Sequence, residues 1–162
     1  MKARLAGLAL LVFLVAAVGW QWHADDAQAR AFTLTPLDPD AVQSIEVELK
    51  GLPAQRFDRR DGHWTSLAGP VDEGRAQELA ALAATPVSAW TPASGFEAAK
   101  IGLAPPLATL ILDGTRIEFG EMTALGKQRY ARVAERVAFV PAQALPRAPR
   151  TASLPTTTST AR

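Results

Sequence analysis

Residues 5–20 read LAGLALLVFLVAAVGW, an apolar run with no polar position in it. At 1.5 Å per residue a helix of that length reaches about 24 Å, and Gln21 and Trp22 carry it further toward the roughly 30 Å of a bilayer core. Beyond the run the pattern changes to short alternating segments. Ile45, Val47 and Leu49 alternate with Glu46, Glu48 and Lys50, the period-two pattern of a strand with one wet face. Residues 55–60 and 63–66 flank Asp61-Gly62, and residues 107–112 and 116–119 flank Asp113-Gly114. Both dipeptides favour the positive φ values of a type I′ hairpin turn. A third hairpin is expected from residues 129–134 and 137–140 across Glu135-Arg136.

Two segments carry helical periodicity. Residues 71–84 place Ala76, Leu79, Leu82 and Ala83 on one stripe, with Asp72 as N-cap and Pro86 as the stop. Ser94 and Glu97 have capping-box spacing before FEAAKI, a short helix expected to close at Gly102. Asp38-Pro39-Asp40 predicts one helical turn at the head of the domain, and residues 141–145 predict another at its end. The expected fold is α+β: a mainly antiparallel sheet built from hairpins, covered by one or two helices and preceded by one N-terminal transmembrane helix. The chain divides into a signal-anchor or transmembrane segment (1–22), a tether (23–35), an extracytoplasmic domain (36–145) and a disordered basic tail (146–162).

Lys2 and Arg4 precede the apolar run, and Asp25 and Asp26 follow it. That asymmetry puts the N-terminus in the cytoplasm and the domain across the inner membrane, with Trp20 and Trp22 at the interface. Two processing readings fit. One is an uncleaved single-pass anchor, which the length of the run favours. The other is a secretory signal cut after Ala29 in an A-x-A context, releasing the domain to the periplasm.

The formal charge of +1 hides an uneven distribution: +1 over residues 1–35, −3 over 36–145 and +3 from Pro146 onward. A mildly acidic domain repels phosphate backbones, so nucleic acid is not an expected partner. The chain has no cysteine, which removes disulfides, thiolate nucleophiles and Cys-ligated zinc. His23 and His63, its two histidines, are far apart in sequence and offer neither a triad nor a metal cluster. Asp58, Asp61, Asp72 and Glu73 are explained by turn and cap duties. GEMTALGK (120–127) has the wrong spacing for a phosphate loop and runs into a strand. No cofactor and no metal is implied, and an enzyme is not expected. The residues best suited to a contact surface are Trp64, Trp90, Arg129, Tyr130, Arg132 and Arg136, with core packing and solvated strand edges as the competing explanation.

LDPDAVQSIEVEL (37–49), the Phe57…Trp64 hairpin, KIGLAPPLATLIL (100–112), IEFGE (117–121), GKQRYARV (126–133) and VAFVP (137–141) together resemble the bacterial envelope family catalogued as domain of unknown function 4340. The resemblance covers about residues 36–145, here as a single short copy behind a membrane anchor. Its most specific pieces are Gly102-Leu103 with Pro106, Phe119-Gly120 and Arg129-Tyr130. It implies an anchored extracytoplasmic domain, in some members beside ABC-type transporters, and no catalytic residue. The expected function is therefore a membrane-anchored accessory domain that binds another envelope protein of a transport complex. The alternative is a periplasmic small-ligand or cell-wall binding module.

Overall fold

The computed structural model describes residues 32–149 except Ala68 and Pro70. The expected membrane segment, most of the tether and the tail beyond residue 149 lie outside the described residues. Among the described residues no helix is long and apolar enough to cross a membrane.

Among the described residues eight strands form one sheet: β1 (Ser44–Leu49), β2 (Gln55–Arg60), β3 (His63–Thr65), β4 (Ala89–Pro92), β5 (Ala108–Leu112), β6 (Thr115–Met122), β7 (Gln128–Val133) and β8 (Arg136–Pro141). Their order across the sheet is β3-β2-β1-β5-β6-β7-β8-β4, and every neighbouring pair is antiparallel. Among the described residues one α-helix, α1 (Glu73–Ala81), packs on the β1 and β3 side. The class is α+β, as the hydrophobic pattern implies.

Both Asp-Gly hairpins form as expected. Asp61 and Gly62 sit at φ 52° and 82°, and Asp113 and Gly114 at 45° and 84°, the left-handed values that a two-residue turn matched to the sheet twist requires. Asp113 adds a long-range duty: its carboxylate accepts from the Gln43 and Ser44 amides at 3.0 and 2.8 Å, fixing the start of β1. The Asp72 cap also forms, its side chain accepting from the Arg75 amide at 3.1 Å.

Five details differ from expectation. Residues 82–84 leave the α-helix as a 3₁₀ turn, Leu82–Ala84, so the α-helical part of the 71–84 segment is shorter. The third turn lies at Ala134-Glu135, since Val133 pairs with Arg136; Ala134 takes φ 50°. FEAAKI is a run of turns instead of a helix. Phe96 is extended, and the Leu103 amide reaches Ala98 O at 2.8 Å. Its apolar side chains, Phe96 and Ile101, go with Leu103 to the sheet, and that tertiary packing overrides the local capping signal. The fourth strand, Ala89–Pro92, is unannounced by any alternation; it lies at the edge, where Pro92 leaves no ladder bond missing on a buried side. Finally, the packed region begins before Pro36. Leu34 is fully buried, and its amide donates to Thr85 O at 2.8 Å.

The alternation of each strand sorts its side chains onto two faces. Ile45, Val47, Leu110, Leu112, Ile117, Phe119, Ala131, Ala138 and Val140 form the core face, closed by Leu34, Ala76, Leu79, Ala80 and Ala83. On the opposite face, residues 93–107 pack over β7, β8 and the Gly120–Glu121 part of β6. There Phe96 meets the Tyr130 ring edge-on at 5.7 Å, and Tyr130 and Phe139 lie 5.4 Å apart.

This covering segment is fastened at a bulge. The β6–β7 register shifts between Phe119 and Met122, freeing the Gly120 carbonyl and the Glu121 amide from the ladder. The Glu121 amide donates to Ile101 O at 2.9 Å, and the Gly120 carbonyl accepts from Arg129 Nη1 at 2.6 Å. Gly120 has no room for a side chain, because a Cβ would strike the Ile101 carbonyl and lie 3.1 Å from Leu103 Cγ.

Candidate functional site

The six residues singled out from the sequence do not share one surface. Trp64 is buried in the core, with the Arg59 guanidinium 5.6 Å from its ring centroid. Arg129 is buried too: besides Gly120 O it donates from Nε to Ala142 O at 3.2 Å, and burial draws its pKa below the ordinary arginine value. Trp90 and Arg136 meet at the β4–β8 edge of the core face, the guanidinium 4.3 Å from the indole centroid. Tyr130 and Arg132 point to the other side. Tyr130 is half covered by Phe96, and Arg132 pairs with Glu118 across the strands.

Arg132 belongs to a larger feature. Beyond the cover of residues 93–107, the outer face of β2, β1, β5 and β6 carries an ordered set of charges, with Glu46, Arg56 and Arg116 exposed and Thr109 and Glu118 buried. Arg116 and Arg132 both hold the nearly buried Glu118, from Arg116 Nε to Oε1 at 3.0 Å and from Arg132 Nε to Oε2 at 2.6 Å. Arg56 pairs with Asp58 at 3.3 Å. Glu46 lies between Arg56 and Ile111 in register, and a shallow depression of about 200 Å³ opens among Ser44, Glu46, Arg56, Ile111 and Gly114. Charges that brace one another in this way cost little further ordering when a complementary surface arrives.

A second concavity lies on the helix side. One flank of α1 and its ends, with Asp72, Arg75, Glu78, Leu79 and Leu82, faces Gln143, Leu145, Pro146, Arg147 and Ala148 across a cleft of about 340 Å³. Arg75 is in phase with Leu79 and Leu82, four and seven positions on, so the helix carries its side chain inward with the apolar stripe. The residue is only 9% exposed, and its Nε and Nη2 atoms have no hydrogen-bond partner among the described residues. Burial lowers its pKa, while Asp72 and Glu78 act in the opposite sense.

Sequence reasoning passed over Arg75. The signal was present: a cation at a stripe position of an amphipathic helix needs either exposure or a partner. Among the described residues no group of three or more metal-ligating side chains is gathered, and His63 Nδ1 instead meets Glu73 Oε1 at 2.9 Å, both exposed. Compared with known proteins, the chain matches no family model, no curated protein and no solved structure.

Proposed function

We propose that this chain is a membrane-tethered, non-enzymatic accessory domain of the cell envelope that docks another envelope protein through the open outer face of β2, β1, β5 and β6. The observation that carries the reading is the braced charge set on that face, with Glu118 held between Arg116 and Arg132 beside the exposed Glu46 and Arg56. A face of this kind favours a partner of complementary charge and discriminates against like-charged surfaces. The segment of residues 5–22 tethers the domain to the inner membrane with its N-terminus in the cytoplasm. The resemblance read from the sequence motivates an ABC-type transport complex as the setting of the partner. Cleavage after Ala29 is the alternative processing route and would free the same domain into the periplasm.

Because the chain lacks cysteine, its placement is testable with single engineered thiols. Lys50→Cys, at an exposed position, is expected to react with a membrane-impermeant maleimide once the outer membrane is permeabilised. Ala3→Cys is expected to react only after lysis. Protection of residue 50 until lysis would contradict the placement, and the intact mass of the labelled chain tells the anchor from the cleaved form.

A second reading, a small-ligand binding module, is favoured by the α1 cleft and by Arg75 Nε and Nη2, which have no hydrogen-bond partner among the described residues.

A further inference from the structure

We propose that the cleft between α1 and residues 143–148 binds a small monocarboxylate with a short apolar body, received bidentately by the Nε and Nη2 edge of Arg75. The proposal is independent of the sheet-face docking surface. A guanidinium withdrawn from water without hydrogen bonds is costly, and native proteins seldom leave one so. The two atoms without partners are those of one edge of the fork, Nε and Nη2. That edge presents two parallel N–H groups at the spacing of the two oxygens of a carboxylate.

The rest of the lining narrows the class. Asp72 and Glu78 offset Arg75 and Arg147, so the cleft is formally neutral and takes one negative charge more readily than two. A phosphate dianion is disfavoured on that ground. Leu79, Leu82, Leu145, Pro146 and Ala148 supply an apolar wall for an aliphatic body, and about 340 Å³ is at the small end of the range for ligand pockets. Both nitrogens expose less than 1 Å². A ligand oxygen therefore reaches them only with a local rearrangement of the cleft wall around Arg75. Residues 143–148 form no ladder of their own; they are held by local turns, Ala144 N to Pro141 O at 2.9 Å and Leu145 N to Gln143 O at 2.8 Å, and by the packing of Ala144, Leu145 and Pro146.

A free short-chain acid and the C-terminal carboxylate of a peptide share this chemistry, and one titration separates them. The full chain in detergent micelles is followed by the Arg75 Nε–H resonance while pentanoate, pentanamide, inorganic phosphate, and acetyl-Gly-Leu as acid or amide are added. One of the two carboxylates is expected to shift that resonance saturably, at least about tenfold more tightly than its own amide. Whichever acid binds more tightly names the source. Arg75→Met is expected to abolish the response and Arg75→Lys to weaken it, with the remaining amide spectrum unchanged. Equal binding of acid and amide, no response to either acid, tighter binding of phosphate, or undiminished binding by folded Arg75→Met would each overturn the proposal. Should Arg75→Met fail to fold, the acid-against-amide comparison on the unaltered chain decides alone.

Discussion

Gly120→Ala is expected to lower the thermal midpoint of the domain by about 15 °C. The added Cβ would meet the Ile101 carbonyl and crowd Leu103, whose Cγ and Cδ2 lie 3.1 and 3.2 Å from its position. A backbone oxygen cannot rotate aside as a flexible side chain does, so residues 101–103 must lift from the sheet. Overpacking of that kind costs about 3 kcal/mol, and loss of the Glu121-to-Ile101 hydrogen bond adds about 1 kcal/mol. For a domain of this size each kcal/mol is worth about 4 °C. Near-ultraviolet circular dichroism on heating measures the shift. A change of less than about 3 °C would mean that the segment is not fastened at the bulge.

Arg129→Met is expected to cost about 3 kcal/mol, because it keeps most of the side chain's bulk and removes its donors and its charge. The carbonyls of Gly120 and Ala142 would then be buried without those bonds, and hydrogen bonds to a charged donor are worth about 1.5–3 kcal/mol where the partner stays buried. Arg129→Lys keeps the charge and can serve one carbonyl at a time, so it should recover about half of the loss. Denaturant unfolding of the three chains reads the series. Equal stability of the Met and Lys variants would show that Arg129 contributes packing and not hydrogen bonds.

These two residues also show what local sequence can and cannot reveal. The Asp-Gly turns and the Asp72 cap were legible because their chemistry is complete within four residues: a left-handed φ pair in one case, an orphan helix amide in the other. The bulge at Gly120–Glu121 was not, since its partners, Ile101 and Arg129, are distant in the chain. The strand Ala89–Pro92 escaped for a related reason. Its pairing with β8 is supplied by residues more than forty positions later, and its own burial pattern does not alternate.

The contact-surface set shows a different failure. Arg129 and Tyr130 are consecutive in an expected strand, so they must point to opposite faces. That alternation alone separates the buried cation that closes the bulge from the ring that packs on Phe96. Arg75 is the complementary case. Its position on the α1 stripe was readable, but that Nε and Nη2 lack partners among the described residues depends on the tertiary packing around the helix, which no local pattern announces.

The most direct measurement of the proposed function is site-specific photo-crosslinking of the full chain in cells. The photoreactive residue replaces Glu46, Arg56 or Arg116 on the open face, or Gln77 on the exposed side of α1. Capture of one and the same envelope protein from the three sheet positions, with none from Gln77, is the predicted result. Capture from Gln77 alone, or no capture from any sheet position while the chain resides in the membrane fraction, would contradict it.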